Sequence, residues 1–115
     1  MRREELFLRD IVEAADHIAE FIRGLDRSGF QKSELVRSAV IQKLALIGEA
    51  AARVSAELQA AHTEVPWPKI VAFRNILVHA YFGVDWDEVW RAAVKESPAL
   101  RAQIESILRN EFTGD

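Results

Sequence analysis

Apolar residues return every three or four positions along nearly the whole chain, and no segment alternates as a strand would. That periodicity permits amphipathic helices and little else. In the first segment Leu8, Ile11, Ala15, Ile18, Ile22 and Leu25 trace one face, which predicts a helix from about Glu4 to about Gly24. "GLDRSGF" follows with two glycines and turn formers and predicts a break. Ser33 is placed to N-cap a second helix, in which Val36, Val40, Leu44, Ile47, Ala51, Val54 and Leu58 carry one stripe over about six turns. Gly48 and Ala50 to Ala52 leave its middle slim enough for another helix to approach closely. Pro66 and Pro68 end that pattern, and Pro68 suits a first helical position. A third helix is expected from about Pro68 to Tyr81 or Phe82, with Gly83 as its stop. Asp85 and Glu88 have capping-box spacing and predict a fourth helix through Trp90 and Val94. Ser97-Pro98 predicts the start of a fifth, with Leu100, Ile104, Ile107 and Leu108 on one face. The expected fold class is all-α: a single-domain bundle of about five helices over residues 1–115.

The 115 residues are half apolar, enough to bury a core. The absence of Cys removes disulfides, thiolate nucleophiles and thiolate metal sites from consideration. A net charge of −3 gives no support to non-specific binding along a duplex, so any nucleic-acid site has to be local. No apolar run reaches the roughly 18 residues of a membrane span. "MRREELFLRD" lacks an apolar signal core, so a soluble cytoplasmic protein is expected.

Within the third helix, Arg74, Asn75, His79 and Tyr81 fall in eight residues of an otherwise apolar segment. On a helical wheel Ile70, Phe73 and Leu77 face the core, and Arg74 and Tyr81 lie almost one above the other at its edge. Asn75 and His79 share a different edge, close enough for Asn75 to hydrogen-bond and orient His79. Arg74 and His79 stand roughly 140° apart on a regular helix. Either the helix loosens before His79, or a second copy completes the site across a two-fold axis. The chemistry suits phosphate: Arg offers a permanently charged fork, and His exchanges a proton near neutral pH. No carboxylate pair or His–carboxylate cluster stands beside them in the sequence, so the motif itself indicates no metal site.

Arg74-Asn75-x3-His79-x-Tyr81 resembles the R-x4-H-x-Y motif of the HEPN superfamily, in its branch of HepT-like toxins. "IGEAA" at Ile47–Ala51, "VPWPKI" at Val65–Ile70, "RNILVHAYFGVD" at Arg74–Asp85 and Trp90 are similar to that branch in order and spacing. The likeness covers roughly Leu44 to Leu108. It implies a homodimeric bundle acting as a metal-independent endoribonuclease with no cofactor, in which Arg74 and His79 carry the chemistry and Asn75 orients. It further implies a toxin–antitoxin pair, whose antitoxin is a small nucleotidyltransferase of the MntA type that transfers AMP from ATP to Tyr81. The alternative is a non-catalytic helical dimer that uses the same groove for a nucleotide or a protein, or a plain structural dimer.

Glu49 is a candidate supporting residue that would reach the site from the second helix, although bonding to a neighbouring helix is the plainer role. His17 and His62 have no visible partner and suit surface or helix-end positions. Trp67 and Trp90 read as core anchors. Arg2, Arg3 and "RNEFTGD" read as solvated ends.

Overall fold

The computed structural model describes residues 2–112, and for Arg2 and Tyr81 the backbone alone. The helices are α1 (Arg2–Phe21), α2 (Arg27–Lys32), α3 (Glu34–Arg53), α4 (Ala56–Ala61), α5 (Trp67–His79), α6 (Trp86–Arg91) and α7 (Ser97–Glu111). A 3₁₀ turn occupies Tyr81–Gly83 and a π-helical segment Ala92–Glu96. There is no strand among the described residues, as the periodicity requires. α3 is the central element, with α1 on one side and α5 on another, while α7 closes against α1.

The apolar stripes meet where the wheel puts them. Leu8, Ile11 and Ile18 of α1, Val40 and Ala51 of α3 and Ile104 of α7 are fully buried. Each fully buried Leu, Ile or Val contributes about 1.5–3 kcal/mol relative to exposure. Arg101 of α7 pins this packing from outside, donating to Asp16 of α1 at 2.6 Å. Phe112 also packs on the core, so the last turn before the terminus is not merely solvated. Thr113 to Asp115, the rest of the expected solvated end, lie outside the described residues, as does the Arg2 side chain. No described helix is long and apolar enough to cross a membrane.

Several boundaries differ from the sequence expectation. α1 stops at Phe21, and Gly24 takes the left-handed φ of 80° that turns the chain. The "GLDRSGF" break contains a helix: the Asp26 side chain caps the Gly29 N–H at 2.7 Å, and Phe30 plunges into the core. There Phe30 meets Trp90 and Trp86 with ring centroids 5.2 and 6.3 Å away. Ser33 caps α3 as expected, accepting from Val36 N–H at 3.1 Å. The long second helix, however, is two. Val54 and Ser55 are extended, because Glu4 of α1 takes the Ser55 N–H at 2.6 Å and Ser55 itself caps Leu58 at 3.1 Å. Val54 and Leu58 are still buried, so the stripe survives the break.

The expected fourth and fifth helices form one continuous arm. Arg91, Ala92, Glu96 and Ser97 all keep right-handed helical angles, and the Ser97 N–H bonds the Ala92 carbonyl five residues back. Pro98 is the physical reason for the wide turn: its ring would press on the carbonyl four residues earlier in a tight α-helix. His62 has partners that its sequence neighbourhood did not reveal. It ends α4 with its Nδ1 3.4 Å from Glu64 and its Nε2 paired with Glu111 of α7.

Candidate active site

Trp67 and Pro68 start α5. Trp67 is buried and its indole N–H donates to the His62 carbonyl at 3.0 Å, while Pro68 sits in the first turn, where a missing N–H costs nothing. The helix is regular through His79, Ala80 caps it, and the 3₁₀ turn carries the chain past Gly83. Gly83 does not adopt a positive φ, so it is not a left-handed stop; the helix ends earlier, at His79. The loosening considered before His79 is therefore absent.

α5 rests on α3 at Gly48. A Cβ at that position would overlap Arg74 Cβ and stand 2.7 Å from Arg74 Cγ and 3.3 Å from the Ile70 carbonyl. The bare Gly48 backbone is thus the seat for the Arg74 stem, as the small residues of α3 suggested. Seated there, Arg74 Nη2 pairs with Glu49 Oε1, and Nη1 donates to Asn75 Oδ1 at 2.7 Å. Glu49 Oε2 also accepts from Arg53 at 3.3 Å. Arg74 first, and then Arg53, holds the Glu49 carboxyl below its ordinary value of 4.5. The ion pair contributes above that value and is lost only as pH falls through the lowered one, so it is intact at neutral pH.

Asn75 does not orient His79; its side-chain oxygen is turned to Arg74 instead. A charged guanidinium is the stronger donor, and it is adjacent. The His79 ring is exposed and has no hydrogen-bond or ion-pair partner among the described residues. The expectation that the Tyr81 phenol lies near Arg74 falls outside the described residues. Within one protomer, then, the structure gathers Arg74, Asn75 and Glu49, and leaves His79 on a different side of the same helix. Sequence reasoning missed Arg53, although its i,i+4 spacing from Glu49 was a usable signal.

Two grooves open along α3. One of about 390 Å³ opens between α1 and α3, with Glu49 and Arg53 in its lining. The other, about 640 Å³, lies between α5 and the α6–α7 arm over Leu44, Ile47, Ile70 and Phe73.

The model of the HepT-like family, described as ribonuclease HepT-like, matches residues 11–107. The chain belongs to the HepT-like ribonuclease family. The match spans Glu49, Arg53 and the whole Arg74–Tyr81 motif, and it makes this HepT-like protein a ribonuclease. A candidate RNase of Methanocaldococcus jannaschii is 34% identical over 106 residues, 92% of this chain and 97% of that protein. A candidate RNase of Caldanaerobacter subterraneus is 32% identical over 96% of this chain and 99% of its own length. A candidate ribonuclease HepT of Thermococcus cleftensis is 34% identical over 92% of this chain and 96% of its own. No solved structure is a significant match.

Proposed function

We propose that this HepT-like ribonuclease is the toxin of a cytoplasmic toxin–antitoxin pair, and that it cuts RNA internally without a metal ion. The observation that supports this most is the seating of Arg74 over Gly48. Its guanidinium is held by Glu49 and Asn75 through two of its five N–H donors, which leaves the others for a phosphate. An exposed imidazole follows five residues later on the same helix.

RNA supplies its own nucleophile, the 2′-hydroxyl. His79 takes the 2′-proton as the 2′-oxygen attacks phosphorus. Arg74 meets the negative charge growing on the phosphoryl oxygens. The bond to the 5′-oxygen breaks, and that oxygen takes a proton from His79 of the partner subunit in a homodimer. The products are a 2′,3′-cyclic phosphate and a free 5′-hydroxyl. Positioning of the attacking oxygen in line supplies much of the rate. Asn75 and Glu49 keep the guanidinium in place.

Purified protein is expected to cut total RNA in excess chelator. His79→Ala should lower the rate by about 10²–10⁴-fold and Arg74→Ala by about 10²–10³-fold. Cleavage that chelator abolishes, or that survives in both folded variants, rules the mechanism out.

The antitoxin in this reading is a small nucleotidyltransferase of the MntA type that joins the α-phosphate of ATP to the Tyr81 oxygen and releases pyrophosphate. AMP on Tyr81 would set bulk and negative charge two residues from His79 and exclude the substrate. Intact mass after co-expression with such a partner should rise by one or more AMP units, and Tyr81→Phe should abolish the gain. Neutralisation of an unmodified protein would instead mean inhibition by binding alone.

A further inference from the structure

Glu49 carries two guanidinium groups, one on each oxygen: Arg74 on Oε1 and Arg53 on Oε2. One carboxylate between two permanent cations leaves the cluster with an excess positive charge. The two cations differ in freedom. The Arg74 side chain is 27% exposed and pinned over Gly48, whereas Arg53 is 60% exposed and reaches Glu49 at 3.3 Å. An exposed pair of the second kind is weak, so Arg53 can exchange its carboxylate for another anion at little cost.

The groove between α1 and α3 begins at this pair. Its volume of about 390 Å³ lies at the small end of ligand sites. Phe7 and Ala14 give it an apolar wall. Asp10, Glu13 and His17 line its α1 side, and Lys43 joins Arg53 on its α3 side. Those two carboxylates repel a sugar-phosphate backbone and accept hydrogen bonds from base amino groups. A nucleotide in the groove would therefore turn its base toward α1 and its phosphate toward the α3 edge, where Arg53 stands.

We propose that this groove is the subsite for the nucleotide next to the cleaved bond, with Arg53 binding that nucleotide's far phosphate. The proposal rests on the reading that Arg74 binds the scissile phosphate. Arg74 is pinned over Gly48 while Arg53 lines the groove, so an Arg53 that leaves Glu49 meets a phosphate on the groove side, other than the one Arg74 holds. Glu49 stays with Arg74 as its anchor when Arg53 turns to the groove.

The test compares two substrates. A dinucleoside monophosphate has the scissile phosphate and no other; a pentanucleotide has flanking phosphates on both sides. Arg53→Ala should raise KM for the pentanucleotide about tenfold, with little change in kcat. Its preference in kcat/KM for the pentanucleotide over the dinucleotide should fall by the same factor, and its salt dependence should lose about 0.7–1 in slope. Arg53→Lys, which keeps the charge, should recover most of the loss. Equal losses on both substrates, or a loss confined to kcat, would mean that Arg53 acts only through Glu49 and would overturn the proposal, as would an unchanged KM. If the wild type cuts neither substrate, the Arg74–His79 chemistry is what fails. Arg53 is then judged by anisotropy with a 2′-O-methyl pentanucleotide, which should bind Arg53→Ala about tenfold more weakly and would overturn the proposal if it bound equally.

Discussion

A single hydrogen on Gly48 Cα is all that α3 places beneath the stem of Arg74. Glycine inside a helix costs about 0.5–1 kcal/mol against alanine, so the position is not explained by helix stability. It is explained by clearance, since an added Cβ would overlap Arg74 Cβ and crowd Cγ. Gly48→Ala gains the helix propensity and loses the seat. Overpacking of this kind costs about 1–3 kcal/mol, so the net expectation is a modest loss of stability with a larger loss of RNA cleavage. Thermal melting and a cleavage assay check this, with the exposed Ala52→Ser as control. Unchanged melting and activity would show that α5 does not depend on that close approach. The same contact explains why Glu49 holds its charge to lower pH than an ordinary carboxyl: the guanidinium that Gly48 admits is the first cause of its lowered pKa.

The helical stripes were legible because each is a local repeat, and Leu8, Val40 and Ile104 are buried as the wheel requires. The boundaries that escaped the sequence are set by contacts between distant residues. The break at Ser55 is fixed by Glu4, 51 positions away, and the one local signal, Ser55 as an N-cap, is masked by the apolar stripe that runs on to Leu58. α2 forms because Asp26 caps it and Phe30 has Trp86 and Trp90 to pack on. The continuity of α6 into α7 needs the π segment, which absorbs Pro98 where the start of a separate helix was expected. Ser97, at the end of that segment, buries a hydroxyl with no partner among the described residues. The site divides in the same way. The nearness of Glu49 to Arg74 was foreseeable from small residues on α3. The turning of Asn75 to Arg74 instead of His79 was not, because helical spacing permits either contact and only charge decides between them.

At the scale of the whole molecule, α5 is packed on one side only. Within the protomer its main contacts are with α3, while Ile76 and Val78 are 51% and 52% exposed on its outer faces. Arg74 and His79 leave the same helix roughly 140° apart, and the helix between them is unbroken. A regular helix thus cannot by itself aim both groups at one phosphate. A second copy laid along α5 across a two-fold axis would cover the exposed aliphatic residues and bring a second His79 toward the first copy's Arg74. The expected state in dilute solution is therefore a homodimer, measured by sedimentation velocity. Ile76→Asp with Val78→Asp puts charge into the proposed contact but not into the protomer core. It should yield a folded monomer with helical circular dichroism and without RNA cleavage. A wild type that sediments as a monomer at micromolar concentration and still cuts RNA would show that one copy suffices. The divergence on α5 would then have to be closed by movement within the protomer.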